Sequence, residues 1–241
     1  MRNSFTFGGR STHEFNVKIE RYPVIKSPVR RQKIVQVAGR NGDLHYQEDV
    51  FENYIQPYEC YFRGDESAAQ QAHAIKAWLQ HSGAYQKLQD TYDPRHYRLA
   101  TFSSLSDIEN TFNKYGRCVV NFDCDPRSFL VAGDAICAYE ADGILLNPTL
   151  FNATPLITVY GTGAGTVTVG AVTVQIHQIT NQLILDCEMQ NAYTQPGEGA
   201  PENQNGNIYA PKFPELLPGS NPVSFTGDIS KVEIIPRWWE L

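Results

Sequence analysis

Apolar and polar positions alternate along most of this chain with the period of two that a half-buried strand imposes, because successive side chains leave a strand on opposite faces. In the first half the pattern predicts strands at Ser4-Phe5-Thr6-Phe7, from Phe15 to Glu20, from Lys33 to Val37 and through the aromatic run Tyr54 to Phe62. Strand character resumes from Tyr97 to Phe102 and from Arg117 to Asp125, where Asp125-Pro126 is expected to close the last strand. Between these runs the period changes. Over residues 67–82 Ala68, Ala72, Ile75 and Leu79 recur at helical spacing, with Asp65 or Ser67 to cap the start and Gly83 to end it. Trp78, beside Leu79, is read as core or as an anchor against the sheet.

The second half begins near Asn147-Pro148 and is almost free of charge and rich in Thr and Val. Strands are predicted from Pro155 to Tyr160, Thr166 to Val169, Val172 to Ile176 and Leu183 to Asp186. The cluster Gly161-Thr162-Gly163-Ala164-Gly165 is read as a hairpin turn, since a phosphate-cradling loop would lead into a helix and here another β run follows. Close strands without helices specify a β-sandwich. Residues 190–210 form a Gln/Asn/Gly/Pro-rich loop, either functional or a connector. Phe213-Pro214-Glu215-Leu216-Leu217-Pro218-Gly219-Ser220-Asn221 denies both helix and central strand, because each proline fixes φ and removes a donor. It is expected to be a shaped corner: Phe213, Leu216 and Leu217 pack beneath, the chain reverses at Pro218-Gly219, and Asn221 bonds nearby backbone. The boundary between halves falls between about Pro126 and Pro148, dividing the chain into domains 1–135 and 136–241.

At 241 residues the chain can form one large or two modest domains. No run approaches the roughly twenty apolar residues that span a bilayer, and Met1-Arg2-Asn3-Ser4-Phe5 lacks an apolar signal region, so neither membrane insertion nor export by that route is expected. The five cysteines are widely spaced without a CxxC pair and are read as reduced, buried thiols. The net charge of −6 is unevenly laid out: residues 1–40 carry nine basic residues against Glu14 and Glu20, a surplus of seven, so the remainder carries −13. Such a segment can bind nucleic acid or pair one subunit's basic strands with another's acidic loops. Interleaved base-stacking aromatics are missing, which favours the second. Asn41-Gly42 is a strong hairpin signal, since both residues tolerate positive φ.

The order of short motifs carries a resemblance. A Phe7-Gly8-Gly9 start is followed by Gly39-Arg40-Asn41-Gly42-Asp43-Leu44, a helix ending in Trp78-Leu79 and an Asp93-Pro94 turn. A strand then ends in Asp186-Cys187-Glu188, Asn205-Gly206-Asn207 follows, and after the Phe213 to Asn221 corner the chain closes on Pro236-Arg237. From Phe7-Gly8 to Pro236-Arg237 this resembles the distal tail (Dit) proteins of siphophages. The resemblance implies a mainly β fold with one helix: an N-terminal β-rich barrel or sandwich domain that builds a ring, and a C-terminal galectin-like β-sandwich that points outward. It implies a structural virion protein, a homo-hexameric hub joining the tail tube to the tail-tip, baseplate and receptor-binding or fibre proteins of a long non-contractile tail. DNA would pass through the ring without specific binding. Interface candidates are Arg21, Arg30, Arg31, Lys33, Arg40, Asn41 and Gly42.

Catalytic signatures are sparse. The six histidines stand singly, and no HExxH, GxSxG or Walker pattern appears. Asp123 and Asp125 share a strand face and could hold a cation, but strand-end carboxylates more often cap turns. No enzyme activity, cofactor or metal is expected. The alternative function is a lectin-like module that contacts host-surface sugar through Tyr193 and Tyr209, with Tyr160 as a further aromatic; Trp238 and Trp239 are read instead as anchors of the closing segment or of a neighbouring domain.

Overall fold

Twenty strands and one α-helix make up the regular structure of residues 3–63, 67–106, 109–111, 114–195, 197 and 199–241, which the computed structural model describes. The fold is mainly β, as the alternation predicts. The chain divides into a first unit, Met1–Ser128 with Leu241, and a second, Phe129–Glu240. The candidate cap Asp65 lies outside the described residues.

In the first unit β1 (Phe5–Phe7), β2 (Arg10–Ser11) and β3 (Val17–Ile19) precede a hairpin of β4 (Arg30–Val35) and β5 (Leu44–Phe51). After β6 (Tyr54–Arg63) and helix α1 (Ala68–Leu79) come β7 (Gln86–Asp90), β8 (His96–Leu105), β9 (Glu109–Thr111) and β10 (Tyr115–Leu130). Eight of these strands share one sheet, seven in the order β2-β1-β7-β8-β10-β6-β3 and β9 also on β10, while β4 and β5 pair only with each other. Strict alternation sends Gln56, Tyr58, Cys60 and Phe62 of β6 inward, opposite Phe122, Val120, Cys118 and Gly116 of β10. The core they build is aromatic: Phe5 lies 4.9 Å from Tyr58 and 5.4 Å from Phe122 between ring centroids.

Helix α1 starts where its cap predicts. Ser67 accepts from the Gln70 amide while the Gln70 side chain accepts from the Ser67 amide, a reciprocal capping box. The inward face is Ala68, Gln71, Ile75, Trp78 and Leu79. The helix ends at Leu79, short of the expected 82, because the next inward positions are Ser82 and Gly83, which bring no apolar area to bury. Trp78 anchors it: the indole stacks on Phe15 at 4.4 Å and donates to the Phe7 carbonyl at 3.2 Å. Phe15 itself is not strand. Residues Thr12–Phe15 form a 3-10 turn capped by Ser11 and Glu14, and Asn16 follows at φ 54°, so the strand begins only at Val17. At the other end β10 runs through Pro126 to Leu130, past the predicted stop.

The second unit contains β11 (Cys137–Tyr139), β12 (Gly143–Asn147), β13 (Leu156–Val169), β14 (Val172–Ile179), β15 (Gln182–Asp186), β16 (Asn191–Thr194), β17 (Glu202–Asn203), β18 (Ile208–Tyr209), β19 (Gly219–Ile235) and β20 (Trp239–Glu240). Its sheet runs β11-β19-β13-β15-β16-β17, with β12 also on β19, β14 on β13, and β18 on β14. Among its described residues the run 190–210 therefore holds three short strands and a 3-10 turn, and is not one loop. The Asn205 side chain holds them, accepting from the Ala192 amide at 2.7 Å and donating to the Asn191 side chain at 2.9 Å.

The glycine cluster is not a hairpin turn. Gly161 to Gly165 lie inside the 14-residue strand β13, where its register against the 17-residue strand β19 shifts twice. The chains cross there too closely for side chains. A Cβ on Gly161 would sit 2.3 Å from the Asp228 carbonyl oxygen, and one on Gly227, whose φ is +79°, 2.4 Å from that of Ala164. On one side of this kink β13 pairs with β15, on the other with β14. One strand thereby feeds both walls around a core of Ile157, Val159, Val167, Val169, Val174, Leu183, Leu185, Val232 and Ile234.

The proline-rich corner leads into β19, which runs on to Ile235. Leu216 is fully buried and bridges to Ala153, Phe213 is half-buried, but Leu217 is exposed, because the backbone has begun to turn outward toward Gly219 at φ +86°. Buried Asn221 closes the turn, accepting from the Leu217 amide at 2.9 Å and donating to the carbonyls of Leu217 at 2.8 Å and Gly219 at 3.1 Å.

A partly buried ion pair ties the ends of two of this unit's core strands. Arg237, at φ 58°, donates from both terminal nitrogens to Asp186 at 3.0 and 3.3 Å, and Asp186 also accepts from the amides of Glu188 and Met189. Burial works to raise the Asp186 carboxyl, but the guanidinium and the two amides outweigh it and hold the carboxyl below its ordinary value. All five cysteines are free, four of them buried, and burial pushes Cys118 up to about 11 and Cys124 and Cys187 to about 12, so these thiols stay protonated at neutral pH.

Two outcomes are expected. Gly227→Ala destabilises the fold by about 3 kcal/mol or more, since it combines a positive φ with a backbone clash, and urea melts check this. Arg237→Ala costs about 2–3 kcal/mol at pH 7 by leaving Asp186 buried without its cation. Because the folded-state carboxyl is lowered, its contribution is complete above the unfolded value of about 3.9 and lost as pH falls through the folded one. Asp186→Asn therefore flattens the acid limb of the stability–pH curve, measured by denaturant midpoints.

Candidate functional site

The β4–β5 hairpin projects a surface that nothing in its own unit covers. Pairing runs Val35↔Leu44, Ile34↔His45, Lys33↔Tyr46 and Gln32↔Gln47, then shifts by a bulge to Arg30↔Phe51. Its connection, residues 36–43, turns at Val37 to Arg40, where the Arg40 amide donates to the Val37 carbonyl across Gly39 at φ +81°. Asn41-Gly42 lies just beyond this turn, with Gly42 alone of the two at positive φ.

Directly opposed residues share a face, so the register sorts the side chains. One face presents Val35, Leu44, Tyr46 and Val50, with Lys33, Arg31 and Glu48 among them; the other presents Ile34, His45, Gln47 and Asp49. Every residue from 31 to 50 is exposed. Tyr46 is 66% accessible and Ile34 51%. A lone two-stranded hairpin is marginal in water, and both outer edges here offer unpaired backbone groups.

The charge on this hairpin is balanced internally. Arg30 donates to Asp49 at 3.1 Å and lies over the Phe51 ring at 4.6 Å, while Arg31 stands 3.9 Å from Glu48 and 3.8 Å from Glu52. Residues 30–52 hold four basic and four acidic side chains. Elsewhere Arg21 pairs with Glu59 at 3.4 Å and Arg10 with Glu14 at 2.9 Å. Three of the basic residues of 1–40, Arg21, Arg30 and Arg31, thus pair with carboxylates that follow in the chain. Among the described residues Lys33 and Arg40 have no acidic partner. The seven candidates do not form one cluster: Arg30, Arg31 and Lys33 lie on β4, Arg40, Asn41 and Gly42 at its far connection, and Arg21 beside β6.

The apolar stripe Val35-Leu44-Tyr46-Val50 was not singled out by sequence. Its signal was present, since Leu44, Tyr46 and Val50 stand at even spacing within an otherwise polar run; such a run reads equally as a half-buried strand.

The remaining candidates fall apart chemically. Tyr193 lies on β16 opposite Ile184 and Asn203, and burial with the nearby Asp186 carboxylate raises its hydroxyl. Tyr209 lies on β18 opposite Gln175 and is 59% accessible. Tyr160 donates to Glu233 at 2.9 Å. Trp238 is buried, and Trp239 stacks on Phe151 at 4.4 Å and donates to the Asn152 carbonyl at 2.8 Å, which makes both anchors of the closing segment. Asp125, within β10, accepts from the Arg127 backbone and side chain at 2.9 Å. Among the described residues no group of three or more His, Cys, Asp or Glu is placed to hold a metal ion, and no helix is long and apolar enough to cross a membrane.

No family model and no curated protein matches this sequence. Solved structures do match in shape. The Dit protein (gp 19.1) of phage SPP1, described as a paradigm of the hub adsorption apparatus in phages infecting Gram-positive hosts, superposes with a TM-score of 0.74 at 11% identity, covering all of both chains. A chain of the phage P2 baseplate, in its activated conformation with Ca or with Sr, matches with a TM-score of 0.54 at 8% identity over 97% of each chain. Over its full length this chain has the fold of the SPP1 Dit protein.

Proposed function

We propose that this protein is a structural component of a phage tail: a distal tail protein that closes into a homo-hexameric ring and joins the tail tube to the tail-tip or baseplate proteins of a long non-contractile tail. The observation that carries the assembly reading is the β4–β5 hairpin, an apolar, charge-balanced ribbon that stands outside the main sheet of its unit. Exposed apolar patches of this kind mark interaction surfaces. A ring needs heterologous contacts, in which one patch meets a different patch on the next copy until the circle closes. A ribbon with two open edges and one apolar face supplies one half of such a contact.

In this reading the domain of residues 1–135 builds the ring and the domain of residues 136–241, galectin-like, points outward toward receptor-binding or fibre proteins. The channel passes DNA without specific binding, in keeping with a hairpin whose Arg30 and Arg31 are already paired. The fold shared with the SPP1 protein over the whole length supports the assignment, and the place of the protein is then the tail tip of the virion.

Sedimentation velocity and negative-stain microscopy of the purified protein test it. A six-copy ring with a central hole is expected, and Tyr46→Asp combined with Val50→Asp reduces it to monomer with an unchanged far-ultraviolet circular dichroism spectrum, since both side chains are exposed in the single copy. A wild-type protein that stays monomeric at high concentration, or a ring indifferent to both substitutions, overturns this reading.

A further inference from the structure

A second site lies in the second unit. A cleft of about 580 Å3 opens between the β14–β15 turn, the end of β16 and the 3-10 turn Asn205–Asn207. Its volume falls within the range of ligand pockets. Its lining is unusual in chemistry: of eleven residues, six carry side-chain amides and two carry hydroxyls, groups that both donate and accept. Period-two alternation on β16 sends Thr194 into this cleft and Tyr193 to the opposite face, toward Asp186.

Part of the amide set is held in place by the protein. Asn207 donates to the Gln178 carbonyl and to the Gln204 side chain, Gln182 donates to the Gln195 carbonyl at 3.2 Å, and Gln178 donates to the Ile179 carbonyl at 3.1 Å. Among the described residues this leaves the side-chain oxygens of Gln178 and Gln182, and the whole amides of Asn181 and Gln195, without a protein partner. Glu202 is the one charged residue in the described lining, and no Lys, Arg or His joins it.

From this we propose that the cleft binds a neutral oligosaccharide. Vicinal sugar hydroxyls each donate and accept, which matches fixed amides whose other half is already satisfied, so little side-chain freedom is lost on binding. The same lining rejects phosphate polymers and sialylated glycans, because a lone carboxylate repels them and no cation compensates. No aromatic ring lines the cleft to stack on a sugar, so affinity per copy is weak, on the order of 1 mM. Several copies in one assembly would raise it by multivalency.

The site lies within one copy, so its test does not depend on ring formation. Saturation-transfer difference NMR on the full chain uses neutral trisaccharides of glucose, N-acetylglucosamine and rhamnose, with sialyllactose and glycerol-phosphate oligomers as anionic comparators. At least one neutral trisaccharide is expected to show transfer that falls at least fivefold in the Asn181→Ala, Gln195→Ala double variant and is unchanged in Tyr209→Ala. Both substituted amides are exposed, and an unchanged melting curve confirms that the double variant folds. No transfer from any neutral sugar, transfer from the anionic ligands alone, or a signal that survives the double variant overturns the proposal.

Discussion

The crossing of β13 and β19 is the constraint on which the second unit depends. A strand of 14 residues lying flat beside one of 17 would give a single sheet with one buried face and one wet one. Gly161, Gly163, Gly165 and Gly227 let the two backbones approach and slip register, and the strands fold over without breaking. Each then contributes to both walls around the aliphatic core, with Leu216 and Asn221, and Asp186 and Arg237, set where those strands end. The corner and the ion pair finish an enclosure that the crossing makes possible.

The first unit solves a related problem with different chemistry. Its core is filled by stacked rings, and its helix is held by an indole that both stacks and donates. It shares one device with the second unit. Asp90, at the end of β7, accepts from the amides of Tyr92 and Asp93, takes the Tyr58 hydroxyl at 2.8 Å and stands 3.7 Å from Arg98. Asp186, at the end of β15, does the same with Glu188, Met189 and Arg237. In both places a strand-end carboxylate turns the chain and draws an arginine to it. With edges and corners thus settled, the β4–β5 ribbon stands out as apolar surface left unburied.

Much of this was legible. The β alternation, the single helix and its Ser67 cap, and the role of Asn221 all follow from local patterns that tertiary packing reinforces. The misses share a physical cause: local signals cannot see the partner strand. Gly161 to Gly165 reads as a turn because glycine clusters usually serve positive φ; here most of them serve close approach to a strand some sixty residues away in sequence. Pro126 reads as a stop, yet β10 continues through it. The surplus of positive charge in residues 1–40 reads as a basic surface until the register of β4 on β5 sets Asp49 and Glu48 against Arg30 and Arg31. The polar run 190–210 reads as a loop because strands of two to four residues are too short to show a period.

The internal balance of charge on the ribbon bears on how any contact made there would respond to its surroundings. Ion pairs spanning two bodies weaken as counterions accumulate, whereas pairs already made within one body do not change on association. A contact seated on Val35, Leu44, Tyr46 and Val50 would therefore hold across wide changes in ionic strength. Its driving force would be the hydration of apolar groups, which fades on cooling. Low temperature, more than brine, is the condition under which such a joint would loosen.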